Sequence, residues 1–187
     1  MERSILFAGF GGQGLLFAGQ ILARAAIKDG LETFWIPSYG PEMRGGTASC
    51  TVIVGDREIG SPVVDRYDAV VAMNPPSLAK FAGRVAPGGL LSVNRSLVSE
   101  ASPVQGLEEL LLDCTQLAAA AGDDKLVSVV ALGALVARLE VVTPSSVREA
   151  IREVVGAKRP QVLDADLAAL DAGMHAAQPL DVAPAGG

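Results

Sequence analysis

Residues 5–15 read Ile5-Leu6-Phe7-Ala8-Gly9-Phe10-Gly11-Gly12-Gln13-Gly14-Leu15. An apolar run of strand length gives way to four glycines between Gly9 and Gly14. Leu15 to Lys28 then carries apolar residues at helical spacing, and Gly30 supplies a stop. Strand, glycine turn and helix in that order open a βαβ unit, so this stretch sets the expectation for everything after it.

Outward from it, Glu32 to Ile36 makes a second short strand, followed by the breaker-rich loop Pro37 to Gly46. Thr47 to Val54 reads as a strand with one less apolar face, and Gly55-Asp56-Arg57 reads as a hairpin turn into Glu58-Ile59. Ala69 to Met73 is a fully apolar strand, after which Asn74-Pro75-Pro76-Ser77 opens a helix expected to run through Val85. Pro87-Gly88-Gly89 turns into a strand from Leu90 to Asn94, and Leu110 to Asp113 forms a further edge strand. Helices are predicted over Gln116–Ala121, Val127–Leu139, Ser145–Val155 and Asp166–Ala176, with Thr143-Pro144-Ser145 as a start signal. The expected architecture is α/β: a Rossmann-like three-layer domain with a mainly parallel sheet, a small antiparallel excursion around Thr47 to Ile59, and a helical C-terminal part. Residues 1–177 are read as one domain and 178–187, rich in Pro, Ala and Gly, as a flexible tail.

Composition narrows the function. Half of the 187 residues are hydrophobic while aromatics make up 4%, a balance suited to close-packed α/β layers. The longest apolar run, Leu126 to Leu139, falls short of the about 20 residues needed to span a bilayer. Met1-Glu2-Arg3-Ser4 leads too quickly into Gly9 for a signal peptide, so a cytoplasmic protein is expected. A net charge of −6 argues against nucleic acid as a partner. Cys50 and Cys114 form no CxxC pair, so neither zinc nor an iron–sulfur cluster is assembled from this chain alone, and both are read as buried thiols. Trp35 reads as core or interface, and His175 as a helix-terminal side chain. Glu108-Glu109 and Asp123-Asp124 read as solvated charge on exposed turns rather than acid–base pairs.

Two segments carry chemistry. Gly9, Gly11, Gly12, Gln13 and Gly14 stand where a phosphate-binding loop belongs, since glycines let the backbone approach a pyrophosphate and the helix start meets it with free N–H groups. A nicotinamide cofactor also wants an acid near the end of the second strand, where this chain has Ile36-Pro37-Ser38. The alternatives are a nucleotide site of another kind or a close strand–helix turn that binds nothing. The second segment, Ser38-Tyr39-Gly40-Pro41-Glu42-Met43-Arg44-Gly45-Gly46-Thr47, puts an acid, a base and a phenol near the carboxyl end of a strand, where open α/β sheets bind ligands. A solvated surface loop is its plain alternative, although Tyr and Arg are favoured interface anchors.

Together with Pro37 and Ala48, these segments resemble the gamma subunit, or gamma domain, of the 2-oxoacid:ferredoxin oxidoreductases. Ile59-Gly60-Ser61-Pro62, Asp68, Asn74 and Val130-Ala131-Leu132-Gly133-Ala134 extend the resemblance over most of residues 4–176. Pro41-Glu42-Met43-Arg44-Gly45-Gly46-Thr47 looks more like the 2-oxoglutarate type than the pyruvate type, which tends to carry a second basic residue at position 43 and a proline at 47. Ser128 and Asp166 depart from the pattern, standing where asparagine is common.

The resemblance implies a subunit that is not catalytic alone. The enzyme it belongs to decarboxylates a 2-oxoacid on thiamine diphosphate with magnesium, passes electrons through iron–sulfur clusters to ferredoxin, and transfers the acyl group to coenzyme A. This chain has no Gly-Asp-Gly followed by an Asn–Asn stretch, so those cofactors are expected on alpha and beta partners, with clusters on beta or on a small ferredoxin-like delta subunit. Coenzyme A is implied as a substrate whose pyrophosphate sits on the glycine turn. Tyr39 and Arg44 are implied to face the alpha subunit and substrate channel. The isolated chain can pair with itself through surfaces a partner normally covers. The competing readings are a stand-alone NAD-dependent dehydrogenase, a pyruvate-type gamma subunit, and a structural assembly module with an empty glycine turn.

Overall fold

The structure, a computed structural model, describes residues 1–38, 47–100, 102, 104–157 and 159–178. Its strands are β1 (Glu2–Gly9), β2 (Glu32–Ser38), β3 (Ala48–Gly55), β4 (Tyr67–Ala72), β5 (Val85–Asn94) and β6 (Glu108–Leu112). Its helices are α1 (Leu15–Lys28), α2 (Pro75–Phe81), α3 (Cys114–Ala121), α4 (Val127–Leu139), α5 (Pro144–Ile151) and α6 (Leu163–Ala176). They build one six-stranded sheet in the order β2-β3-β1-β4-β5-β6. Parallel pairs join β1 to β4, β4 to β5 and β5 to β6, while β3 runs antiparallel to both of its neighbours.

The strands under the helices are apolar on both faces, as parallel inner strands must be. Ile5 and Phe7 of β1, with Ala69 and Val71 of β4, face the large cluster formed with α1, α3, α4, α5 and α6. Leu6, Ala8, Val70 and Ala72 face the smaller cluster under α2 with Leu78 and Phe81. The two faces follow from the period of two along a strand. Because α1 covers one face and α2 the other, the chain changes direction between β1 and β4, a position at which open sheets commonly bind ligands. α4 is buried over Val127–Val136, the mark of a helix enclosed all round. It lies so close to α6 that a methyl group at Gly133 would strike the Leu170 carbonyl and one at Gly173 the Val130 carbonyl.

Several expectations need correction. The hairpin from Gly55 into Glu58-Ile59 does not form. Both edges of β3 are already taken, by β1 from Glu2↔Gly55 to Gly9↔Ala48 and by β2 from Glu32↔Gly55 to Ser38↔Ser49, which leaves no ladder for a further strand. The turn at Pro87-Gly88-Gly89 lies inside β5 as a bulge: Tyr67 pairs with Val85 and Ala69 with Leu90, so four residues oppose Asp68 alone, with Gly88 at φ +73°. The helix after Asn74 stops at Phe81 and tightens into a 3-10 turn over Ala82–Arg84 before β5 begins. Similarly, α5 ends at Ile151 and Arg152–Gly156 continues as a π turn, while β6 starts at Glu108 and ends before Asp113. Glu108 and Glu109 are exposed, but on that strand rather than on a turn, and Glu108 pairs with Arg138. No described helix is long and apolar enough to cross a membrane.

Candidate nucleotide-binding site at the carboxyl edge

The glycine turn is held from within. Gln13 folds back so that its Oε1 accepts the Phe10 N–H at 2.6 Å, and Asn74 Nδ2 approaches the same oxygen at 3.5 Å. Asn74 is fully buried; its Oδ1 accepts the Ser77 N–H at 2.9 Å and so caps α2, tying the starts of both helices together. The Met73 N–H donates to Ala8 O at 2.8 Å, closing the β1–β4 edge beneath the turn. Gly12 at φ +90° and Gly14 at φ +75° adopt the left-handed backbone that only glycine enters cheaply. At Gly9 a side chain would collide with Gln13 and come within 2.9 Å of Met73 Cβ.

What this leaves free is the amino end of α1. Gly14, its N-cap, offers no side-chain hydrogen bond, and the first turn carries no acidic residue. Among the described residues, the N–H groups of Gly11, Gly12 and Gly14 find no protein acceptor. Bare donors at the positive end of a helix suit a phosphate or carboxylate. They open on a crevice of about 400 Å³ between the turn, the first turn of α1, Ser38 and Ala48. The two predicted segments therefore meet: Ser38, exposed at the end of β2, lines the crevice with the glycine turn, as does Ala48 at the start of β3, just after half-buried Thr47. Tyr39, Pro41, Glu42, Met43, Arg44, Gly45 and Gly46 lie outside the described residues. Gln13, named with the glycines of this turn, has its amide oxygen folded back onto the Phe10 N–H.

The cysteines sit on β3 and at the start of α3, both buried. Burial pushes the Cys50 thiol up to about 11, against a hydrogen bond from Trp35, and the Cys114 thiol up to about 12, with Asp113 adding to the effect. Trp35 is 38% exposed on the edge strand β2, packed beside Cys50 over Gly19, and His175 is exposed near the end of α6.

The sequence pass did not single out a second cavity, about 220 Å³, between the amino end of α1, the start of α4 and α6. Ser128 and Asp166, the two departures from the resembled pattern, both wall it. Asp166 is 1% exposed and, among the described residues, neither of its carboxylate oxygens has a hydrogen-bond partner. A signal existed: Asp166 falls on the buried stripe of α6 with Ala169, Leu170 and Gly173, where a lone acid is out of place.

A strand, a self-supported glycine turn and an uncapped helix at the carboxyl edge of a largely parallel sheet define a Rossmann-like scaffold. The model of the pyruvate ferredoxin/flavodoxin oxidoreductase family matches residues 4–176. The chain belongs to that family, as its gamma-type unit. It is 38% identical over 173 residues to a ketoisovalerate oxidoreductase subunit of Methanothermobacter marburgensis, covering 92% of this chain and 36% of that protein. The chain thus spans about a third of that relative's length. It is 35% identical over 162 residues to a 2-oxoglutarate synthase subunit of the same organism, covering 83% of this chain and 87% of the relative. The gamma subunit of a keto/oxoacid ferredoxin oxidoreductase from Geobacter sulfurreducens shares the fold with a TM-score of 0.84 at 31% identity, covering 94% of this chain and 98% of that one.

Proposed function

We propose that the chain is the gamma subunit of a cytoplasmic 2-oxoacid:ferredoxin oxidoreductase, where it holds coenzyme A and helps assemble the enzyme without itself performing the redox step. The observation that carries this reading is the uncapped amino end of α1, whose free N–H groups open on the crevice beside Ser38 and Ala48. Gly11, Gly12 and Gly14 hold the coenzyme's pyrophosphate, while Gln13 and Asn74 keep the turn in shape. The segment from Tyr39 to Thr47, which joins Ser38 to Ala48 in the chain, meets the alpha subunit and the substrate channel. Thiamine diphosphate, magnesium and the iron–sulfur clusters sit on the alpha, beta and, where present, ferredoxin-like delta partners, and supply decarboxylation and electron transfer there.

The Pro41–Thr47 segment supports 2-oxoglutarate as the oxoacid. A second reading, a branched 2-oxoacid such as ketoisovalerate, is favoured by 38% identity over 92% of this chain to a ketoisovalerate oxidoreductase subunit, against 35% over 83% to a 2-oxoglutarate synthase subunit. The test is to purify the tagged chain from its native cells, identify what accompanies it, and assay viologen reduction with 2-oxoglutarate, 2-oxoisovalerate and pyruvate, each with and without coenzyme A. Alpha and beta partners with coenzyme A-dependent reduction are expected, and the preferred oxoacid separates the two readings. A chain that purifies alone, without such activity, overturns the proposal.

A further inference from the structure

The second cavity has a chemistry of its own. Its apolar wall is Phe17, Leu126, Val129 and Val162, and its polar side is Asp123, Lys125, Arg159 and the buried Asp166. Taking a carboxylate out of water without donors is costly, so a buried acid of this kind is ordinarily answered by a partner. Among the described residues, neither oxygen of Asp166 is answered. Burial pushes its pKa up; the Arg159 charge works against that shift and Asp123 adds to it. Asp123 is already engaged through its Oδ1, which accepts the Lys125 N–H at 2.9 Å. Lys125 and Arg159 are exposed at the rim, and among the described residues neither has an ion-pair partner.

We infer that this cavity binds a small zwitterion bearing a primary amine and a carboxylate, the chemistry of a free α-amino acid. The ligand's ammonium group donates to Asp166, its carboxylate meets Lys125 and Arg159, and its side chain lies against the apolar wall. Among the described residues, two acids and two bases leave the lining without net charge, which matches a zwitterion and works against a polyanion such as coenzyme A. The volume suits the size as well: about 220 Å³ holds roughly seven water-sized groups at about 30 Å³ each. The site does not depend on what the glycine turn binds.

The test is calorimetric titration and thermal denaturation of the full chain, and of the complex it purifies with, against the twenty α-amino acids. The controls are 2-oxoisovalerate and 2-oxoglutarate, which lack the amine, and 3′,5′-ADP, which carries the coenzyme's phosphates. At least one amino acid is expected to bind one-to-one and raise the Tm, while its oxoacid counterpart does neither. Asp166→Asn should weaken that binding about 100-fold, the usual consequence of removing one member of a buried charge pair. Its ligand-free Tm should stay level or rise, because the substitution removes an unanswered charge. Lys125→Ala, at the exposed rim, should weaken binding with the fold untouched. The inference is overturned if no amino acid binds, if Asp166→Asn binds as well as the parent, or if 3′,5′-ADP is the ligand whose affinity depends on Asp166. Failure of coenzyme A to bind the glycine turn would leave these outcomes as they are.

Discussion

The two ends of α1 are built on opposite plans. At the carboxyl end, Asp29 accepts from the Thr143 N–H at 2.6 Å, from Thr143 Oγ1 at 2.8 Å and from Ser146 Oγ. Leu31 N–H returns to Ala26 O at 2.9 Å, and Lys28 pairs with Glu149 and Glu153. At the amino end, Gly14 caps nothing, no acid stands in the first turn, and cavities open on two sides. At one end of α1 the side-chain and backbone groups are answered inside the fold; at the other, backbone donors are left bare beside open cavities.

The largest effects should come from changing the bare end. In Gly14→Val the new side chain meets Ser128 Oγ and is forced into a left-handed backbone at φ +75°. A loss of about 3 kcal/mol in urea unfolding is expected, from overpacking plus strain. Gly12→Ala is the cleaner variant, since its methyl group meets nothing within 4 Å and only φ +90° opposes it. It should cost roughly 1 kcal/mol of stability yet raise the KM for coenzyme A in the assembled enzyme. Unchanged coenzyme A kinetics in Gly12→Ala would show that the bare end is not a ligand seat, and the contrast between the two ends would lose its meaning.

At the answered end, Asp29→Asn should cost about 2 kcal/mol at neutral pH and leave coenzyme A kinetics alone. Burial pushes the Asp29 carboxyl up, but the hydrogen bonds from Ser146 and Thr143 outweigh it and hold the group below the usual 3.8. A depressed folded pKa means the stabilisation is complete above the unfolded value and is lost as pH falls through the folded one. The gap between parent and variant in urea melts should therefore be constant from pH 5 to 8 and close below about pH 4. Asp166, raised by burial, has the opposite sign. Asp166→Asn should gain on the parent as pH rises above about 4, and the same pH series measures both.

How far these features were legible in the sequence depends on how local their causes are. The bounds of α1 and α4 follow from apolar spacing and glycine stops, and the structure keeps them at Leu15–Lys28 and Val127–Leu139. The neighbours of β3 were not legible, because Gly55-Asp56-Arg57 looks locally like a hairpin turn while the ladder is formed with β1 and β2 from elsewhere in the chain. The same holds at the site. The glycine turn and the ends of the loop at Ser38 and Thr47 were visible as motifs, and their meeting at one crevice agrees with the rule for open sheets. The inward fold of Gln13 onto Phe10 and the clasp from Asn74 depend on the β1–β4 pairing, which no local pattern announces.

That clasp gives the next prediction. Gln13→Ala removes the acceptor for the Phe10 N–H and the contact with Asn74, without touching the core. One charge-free hydrogen bond and part of a second correspond to about 1.4 kcal/mol, or about tenfold in the KM for coenzyme A, with kcat and Tm close to the parent. A fall in Tm matching the kinetic loss would mean that Gln13 braces the fold rather than shaping the turn. The amino end would then be as structural as the carboxyl end.

The smallest effect belongs to Lys28, and it decides what kind of answer the carboxyl end receives. Its ammonium group pairs with Glu149 at 3.5 Å and with Glu153, and the hydrogen bond to Glu153 raises its pKa despite some desolvation. Both glutamates are exposed, at 64% and 51%. Ion pairs in that setting are screened by salt and contribute little, even next to a helix carboxyl end. Lys28→Met should lower the Tm slightly at low ionic strength, and the difference should vanish in about 1 M salt, where the screening length is about 3 Å, whereas the loss in Asp29→Asn should persist. If Lys28→Met is as damaging as Asp29→Asn and insensitive to salt, charge rather than hydrogen bonding holds that end of α1. The anchoring of α1 against α5 would then rest on the two exposed glutamates.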